Sequence, residues 1–167
     1  MRQIAPRRPD VWPETIEGLD AWLKACGIRN FSAREVTSHH NRRWVGPPYV
    51  VPPQALWENI YPTLALAQRI RDMMGIPIHV VSGYRSPEYN ALVGGAARSL
   101  HMQFAALDLS TRSNPRLFDA IRAEALEERR RGEIVGLGLY DTFIHIDVGA
   151  RERHWTGDSR SPANRGS

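Results

Sequence analysis

The sequence predicts a single α+β domain in which helices pack on a small, mainly antiparallel sheet. Its 167 residues favour one domain and are enough for a buried core. The first half carries apolar residues at helical spacing, whereas short runs typical of strands dominate the second half. Helices followed by antiparallel strands are the order of elements that indicates the α+β class.

Two helices are predicted in the first part of the chain. Pro13 can occupy the first turn of a helix that runs to about Cys26, and Gly27 suits the position just after its end. Ser32 and Glu35 have the spacing of a capping box, which predicts that a short second helix begins there.

A long helix is predicted after a proline-rich loop over residues 41–53. Apolar residues recur at helical spacing from about Pro53 to Met74, and Gly75 ends the pattern. Pro62 lies inside this helix and is expected to kink it, because proline cannot donate the intrahelical hydrogen bond.

Strands, two further helices and a closing hairpin are predicted in the second half. Apolar runs predict strands over residues 78–82 and 106–109. Ser-Pro and Asn-Pro pairs predict helices over about 86–92 and 114–131. The last predicted element is a β-hairpin that pairs residues 136–140 with residues 143–148.

The chain divides into an arm, one domain and a tail. Residues 1–12 are rich in proline and arginine, which predicts an extended arm. Residues 13–155 form the predicted domain. Residues 156–167 show no apolar periodicity, which predicts a flexible tail.

Composition and charge exclude several classes of protein. No apolar run approaches the roughly 20 residues that span a bilayer, and no apolar segment follows the basic N-terminus as in a secretory signal. Cys26 is the only cysteine, which excludes an intrachain disulfide and favours a small buried apolar side chain. The net charge of +4 suits a polyanion such as a bacterial cell wall. Without an aromatic-rich ribbon or a recognition helix, nucleic acid is not predicted as a partner.

Two short stretches carry the candidate chemistry. His101 and Asp108 lie seven residues apart where a loop enters a strand, and His145 and Asp147 share one face of a later strand. Two imidazoles and a carboxylate suit a zinc ion, whose fourth tetrahedral position is then left for water. The alternative is a hydrogen-bonded core histidine at His145 and a capping role for Asp108, because this spacing alone does not identify a zinc site.

Four sequence blocks surround these residues in a characteristic order. They are Ser82–Asn90, Val93–Ala96, Ser99–Asp108 and His145–Gly149. Together they resemble the zinc D-alanyl-D-alanine carboxypeptidases, a superfamily that includes hedgehog signalling domains and several phage endolysins. The resemblance covers about residues 30–155 and implies a hedgehog/D-Ala-D-Ala-peptidase-like fold.

The resemblance also implies roles for individual residues. It makes His101, Asp108 and His145 the zinc ligands. Arg85 matches the arginine that holds the substrate carbonyl or carboxylate, and a guanidinium beside zinc would stabilise an oxyanion. The alternative for Arg85 is a surface salt bridge.

Two neighbours of these residues are candidates for binding substrate. Tyr84 precedes the arginine in the first block, and Ser99 matches a serine beside the first ligand. Ser99 could hydrogen-bond substrate or could shape the loop, and the sequence leaves both roles open.

The chain departs from the family pattern at two positions. Phe104 stands where relatives usually carry glycine, and it is expected to crowd the site or alter access to it. Thr142 stands where related enzymes place the carboxylate that acts as general base. The candidates for that role are Asp141, His154 and Asp147, of which Asp147 is favoured either as the base or as a partner that supports a histidine.

The predicted function is zinc-dependent hydrolysis of amide bonds in peptidoglycan stem peptides. The enzyme would be a D-Ala-D-Ala carboxypeptidase or a D-Ala cross-bridge endopeptidase. The alternative is a catalytically weak or inactive module of a virion that binds the cell wall. Without a leader the protein is expected to be cytoplasmic as made, then to act in the periplasm or cell wall or in a virion, where phage tail or capsid proteins would be partners.

Overall fold

Five helices and five strands form the part of the chain that the structure describes. The computed structural model describes residues 12–111, 114–149 and 151–157. Residues 1–11 of the predicted arm and residues 158–167 of the predicted tail lie outside the described residues. The helices are α1 (Ile16–Ala25), α2 (Ala33–Thr37), α3 (Trp57–Met74), α4 (Pro87–Leu92) and α5 (Pro115–Arg130), with a 3-10 turn at Gln54–Leu56 before α3.

Side-chain caps explain where four of these helices begin. In each, a polar side chain accepts a hydrogen bond from a backbone N–H three residues later, as at Ser32, Ser86 and Asn114. These predicted starts are confirmed. The predicted start of α1 is wrong, because Thr15 rather than a residue near Pro13 caps the helix, with its hydroxyl accepting from the Gly18 N–H.

Four helices are followed by a glycine in the left-handed conformation: Gly27, Gly75, Gly94 and Gly132. Gly27 follows α1 with φ 83°, as predicted, and Gly75 follows α3 with φ 63°. Cys26, the residue before Gly27, is buried in the apolar core. The predicted burial of this cysteine is therefore confirmed.

The sheet confirms the α+β class and the predicted hairpin. Its strands are β1 (His79–Ser82), β2 (Ala106–Ser110), β3 (Gly136–Leu139), β4 (Ile144–Asp147) and β5 (Arg153–Thr156). They lie in the order β1-β2-β4-β3-β5, and every described pairing is antiparallel except that of β3 with β5. The sequence did not predict β5, whose last residue falls in the segment assigned to the tail.

Each face of the sheet has its own chemistry. Leu107, Leu137 and Ile146 lie on the face against which α3 and α5 pack, and all three are fully buried. Asp108 and His145 are paired across β2 and β4, so both point to the opposite face. The alternation of strand residues therefore separates the apolar core from the polar residues of the candidate site.

Helix α2 is tied to the edge of this sheet. Ser32 caps α2 as the capping-box pattern predicts, but the Glu35 carboxylate does not return to its own helix. It instead accepts a hydrogen bond from the Val80 N–H of β1, at 3.3 Å.

No helix in the described part of the chain is both long and apolar enough to cross a membrane.

Candidate metal centre

Three side chains predicted as ligands converge on one point. Asp108 lies in the middle of β2, His145 lies opposite it in β4, and His101 lies in the loop between α4 and β2. The Asp108 Oδ1 atom is 3.2 Å from His101 Nε2 and 2.9 Å from His145 Nδ1, and the two nitrogens are 3.2 Å apart. All three side chains are buried.

The donor set fits a small tetrahedral metal ion. Zinc bonds of about 2.0–2.1 Å at tetrahedral angles place neighbouring donor atoms roughly 3.3 Å apart. The three measured separations lie close to that value. Two ring nitrogens and a carboxylate oxygen that face one another in a buried site require a shared cation or proton, since their lone pairs repel. These residues could therefore hold a metal ion.

The loop around His101 determines which ring nitrogen faces the site. The His101 Nδ1–H donates to the Gly83 carbonyl at 2.7 Å, which leaves Nε2 to face Asp108. The backbone on either side is also held, because Arg85 N–H donates to the His101 carbonyl and Ser99 Oγ accepts from the His101 N–H. These hydrogen bonds hold the His101 ring in one orientation.

His145 is oriented from its other side. Its Nδ1 atom faces Asp108, and its Nε2–H donates to Asp147 Oδ2 at 3.2 Å. Asp147 is fully buried and accepts two further hydrogen bonds, from the Gly149 N–H at 2.8 Å and from Arg153 Nη2 at 2.7 Å. Its carboxylate therefore lies behind the histidine ring, on the side away from Asp108.

Arg85 lies directly beside the candidate ligands. Its Nη2 donates to Asp108 Oδ2 at 2.7 Å, and its Nε donates to Ser82 Oγ at 2.8 Å. Only 6% of Arg85 is exposed, so the surface salt bridge considered as its alternative role does not apply. Asp108 thus uses one oxygen for the histidines and the other for the guanidinium.

The protonation states of His101 and Asp108 suit metal binding. Burial and, after it, the positive charge of Arg85 lower the pKa of His101 to about 4. Burial would raise the pKa of Asp108, but His101, His145 and Arg85 outweigh it and hold that pKa well below its usual range. A neutral imidazole and an ionised carboxylate are the forms that bind metal.

A second pair of shifts follows from the contact between His145 and Asp147. Burial lowers the pKa of His145, but hydrogen bonds to Asp108 and Asp147 outweigh it and raise that pKa above its usual value. Burial raises the pKa of Asp147, but the hydrogen bond to His145 and the charge of Arg153 lower it overall. Asp147 is therefore held as a carboxylate.

A cleft of about 280 Å³ opens onto one side of the cluster. Asp108 and Arg85 form its inner end, so a bound molecule can reach both. Its other lining residues come from the loop after α2, from β1, from α4 and from the β3–β4 turn: His40, Asn41, Val81, Ser82, Tyr89, Val93, Thr142 and Phe143.

The two predicted substrate-binding residues lie outside this cleft. Ser99 is 1% exposed and bonds to the His101 backbone, which is the loop-shaping alternative. Tyr84 is 6% exposed, and its ring packs edge-on against Phe104 with centroids 5.9 Å apart. Their role in binding substrate stays a prediction, and the geometry favours a structural role for both.

Phe104 does not crowd the site, contrary to expectation. Its backbone has φ 50°, the left-handed conformation that glycine adopts readily and other residues rarely do. Its side chain is fully buried in the apolar core and does not line the cleft. The expectation assumed that the ring would face the ligands, whereas the left-handed backbone directs it into the core against Tyr84.

The candidates for a general base occupy three different environments. Thr142 lines the cleft, and its backbone carbonyl accepts from Ser110 Oγ. Asp141 is exposed and does not line the cleft. His154 is exposed and pairs with Leu137, which places it on the face of the sheet opposite the ligands. Asp147 is buried behind His145.

Residues that the sequence analysis assigned no role in the site surround His145 on its far side. Arg153 and Trp155 lie on β5, and Trp155 packs 5.2 Å from the His145 ring while its Nε1–H donates to the Tyr140 hydroxyl. A β-carbon at Gly136 would lie 1.9 Å from Asp147 Oδ2, and one at Gly138 would lie 2.5 Å from the Trp155 ring. The Gly-Leu-Gly-Leu alternation of β3 was the signal that this face leaves room for large side chains.

The fold and the site define a class of protein. A buried His–Asp–His cluster that reaches a cleft beside an arginine, on a mainly antiparallel sheet, is an arrangement suited to metal-dependent hydrolysis. The peptidase M15 family matches residues 30–147, which is more than half of the chain. The chain therefore belongs to the peptidase M15 family, whose members resemble the zinc D-Ala-D-Ala carboxypeptidases and depend on a metal. A search of curated proteins finds no match to the chain.

Proposed function

We propose that the protein is a zinc peptidase that hydrolyses amide bonds in the stem peptides of bacterial peptidoglycan. One observation carries the proposal: three buried donor atoms lie 2.9–3.2 Å apart, and their carboxylate also lines a cleft. Zinc is the proposed ion because two imidazoles and one carboxylate are a ligand set that catalytic zinc uses. When bound there, zinc would act as a Lewis acid toward the scissile carbonyl and activate water.

Arg85 would stabilise the charge that develops during hydrolysis. Its guanidinium lies at the inner end of the cleft and is held in place by Asp108 and Ser82. A fixed cation near the scissile carbonyl stabilises the oxyanion of a tetrahedral intermediate more than it stabilises the neutral amide. Because Arg85 is almost fully buried, little solvent weakens that interaction.

His40 is the side chain that we propose moves the proton. None of the three candidates from the sequence lines the cleft, and Asp147 already accepts hydrogen bonds from three groups. Among the described residues that line the cleft, His40 is the histidine. An imidazole can take a proton from the attacking water and pass it to the leaving amine.

The substrate class is supported by the cleft and by the charge of the chain. The cleft combines apolar side chains, Val81, Val93 and Phe143, with a buried cation at its inner end. A short peptide with small side chains and a carboxylate or carbonyl suits that lining, as D-Ala-D-Ala or a D-Ala cross-bridge would. The net charge of +4 favours approach to an anionic wall polymer.

A second candidate function rests on Thr142. This residue lines the cleft at the position where relatives carry a carboxylate, and it cannot accept the proton of the attacking water. A wall-binding module with little or no catalysis, carried in a phage virion beside tail or capsid proteins, would keep the fold and the metal without needing a base there.

Zinc content and hydrolysis of purified peptidoglycan, measured on the same preparations, separate these two functions. We expect wild type to bind one zinc ion per chain and to release stem-peptide products. His101→Ala should lose both properties, because it removes a ligand. His40→Gln should keep zinc and lose roughly 10²–10⁴-fold in kcat, as expected for removal of a general acid–base group.

His154→Ala is the matched control, since it removes an exposed histidine on the opposite face of the sheet and should leave both properties unchanged. Stoichiometric zinc without hydrolysis in wild type would support the wall-binding module. A wild type that binds no zinc would overturn the metal site itself. Full activity in His40→Gln would overturn the proposed role of His40 alone.

A further inference from the structure

We propose that Arg153 is a positioning residue that determines how tightly the site binds its metal. It acts through Asp147 and His145, and it lies on β5, outside the region that the family match covers. The inference rests on the proposed zinc site, but it concerns metal affinity rather than hydrolysis. Three features of the molecule support it: the charge of Asp147, the orientation of His145 and the space left by β3.

Asp147 needs a cation because its carboxylate is fully buried. A buried carboxylate is costly unless it is paired and hydrogen-bonded. Arg153 Nη2 lies 2.7 Å from Asp147 Oδ2, and the Gly149 N–H donates to Oδ1 at 2.8 Å. Among the described residues, Arg153 is the arginine or lysine that forms an ion pair with this carboxylate.

The carboxylate in turn determines which nitrogen of His145 faces the metal. An ionised Asp147 can only accept a hydrogen bond, so the Nε2 atom at 3.2 Å must carry the proton. Nδ1 is then the nitrogen that faces Asp108 and can bind a metal ion. Without the contact from Arg153 Nη2, Asp147 Oδ2 is free to rotate away from His145 Nε2, and that movement weakens the hold on this ring orientation.

Strand β3 leaves the space in which this arrangement is built. Gly136 pairs with Asp147 on one side and with Arg153 on the other. A β-carbon at this position would lie 1.9 Å from Asp147 Oδ2, the atom that both Arg153 and His145 contact. Because Gly136 has no side chain, Arg153 on the edge strand β5 can reach across β3 to Asp147, which supports His145 on β4.

Zinc affinity of the whole protein, measured by competition with a chromophoric chelator, tests the proposal. We expect Arg153→Gln to weaken zinc binding roughly 10–100-fold, the usual effect of losing a group that supports a ligand. Arg153→Lys should recover part of the loss, because it restores the charge. Arg151→Gln is the matched control, since it removes an exposed arginine from the same segment.

A second readout separates positioning from general stability. In the zinc-bound protein, ¹⁵N NMR should show His145 protonated at Nε2 in wild type and in Arg151→Gln, with a disturbed signal in Arg153→Gln. Arg153 is 33% exposed, and thermal unfolding will report whether each variant is folded. Wild-type zinc affinity and an unchanged His145 signal in folded Arg153→Gln would overturn the inference.

The conservative variant keeps the proposal testable if Arg153→Gln does not fold. A zinc affinity in folded Arg153→Lys that lies between those of wild type and His101→Ala then supports the inference, and an affinity equal to either of them overturns it. If wild type binds no zinc, the proposed function fails together with the inference.

Discussion

At the scale of single residues, the backbone at position 104 explains a departure from the family pattern. The family resemblance predicts glycine there, and Phe104 has the left-handed φ of 50° that glycine adopts without strain. A phenylalanine at such a position costs roughly 1–2 kcal/mol. Its fully buried ring stabilises the core by more than that cost, which explains how the chain accommodates it.

Substitutions of Phe104 separate the cost of the left-handed backbone from the stability that the buried ring contributes. Phe104→Ala should lower the free energy of unfolding by about 3–5 kcal/mol, because it leaves a cavity in the core and keeps the strained backbone. Phe104→Gly should be about 1 kcal/mol more stable than Phe104→Ala, because glycine relieves the strain. Denaturant unfolding of the two variants checks the order. An alanine variant that is the more stable of the two would show that the backbone strain is absent.

At the scale of elements, strand β3 shapes the site because two of its residues are glycines without side chains. Its leucines face the core, while Gly136 and Gly138 face the site and leave room for Asp147 and Trp155. Trp155 crosses the strand from β5 to reach His145, whereas Asp147 lies on β4 beside His145 and occupies the space next to Gly136. The strand thus contributes to the metal centre without supplying a ligand.

Alanine at these two glycines should therefore have different effects. Gly136→Ala places a methyl group against Asp147 Oδ2 and should weaken zinc binding, because the support of His145 shifts. Gly138→Ala meets the Trp155 ring instead and should change tryptophan fluorescence and stability, with a smaller effect on zinc affinity. Chelator competition and fluorescence on both variants provide the comparison. Equal zinc affinities in the two variants would contradict it.

At the scale of the whole molecule, the metal centre joins segments that are distant in the chain. Its ligands come from the loop before β2, from β2 itself and from β4, and the support of the last ligand comes from β5. A metal ion that binds these segments only when they are folded together must stabilise the folded state.

Zinc removal should consequently lower the melting temperature. At a free zinc concentration of about 100 times the dissociation constant, binding adds about 2.7 kcal/mol to the free energy of unfolding. Thermal unfolding with zinc and with a chelator measures the difference. His101→Ala, which lacks a ligand, should melt at the same temperature in both conditions. A zinc-dependent shift of wild-type size in that variant would place the stabilising ion elsewhere.

Much of the secondary structure could be predicted because its signals are local. The caps at Ser32, Ser86 and Asn114 lie within three residues of the groups that they bind, so the sequence contains both partners. β5 could not be predicted in this way. Its four residues carry little periodicity, and the strand forms because β3 offers an open edge.

The candidate ligands were also predictable, and their surroundings were not. The residue types of His101, Asp108 and His145 suit a metal, but their spacing alone left a core histidine open, and the resemblance of the surrounding blocks to a metal-dependent family predicted them as ligands. The side chains that orient them belong partly to other segments. The Gly83 carbonyl accepts a hydrogen bond from His101, and the Arg153 guanidinium contacts Asp147, which in turn contacts His145. No local sequence pattern encodes these contacts.

The sequence by itself determined the class of fold, most helix starts, the three donor residues and the family that they indicate. The fold class and the helix starts follow from local periodicity and capping, and the predicted donor residues follow from the family resemblance of the blocks around them. Tertiary structure alone decided which nitrogen of each histidine faces Asp108, that Asp147 lies behind His145, and that the Phe104 ring points into the core. The physical reason is that orientation depends on contacts between segments that meet only when the sheet has formed.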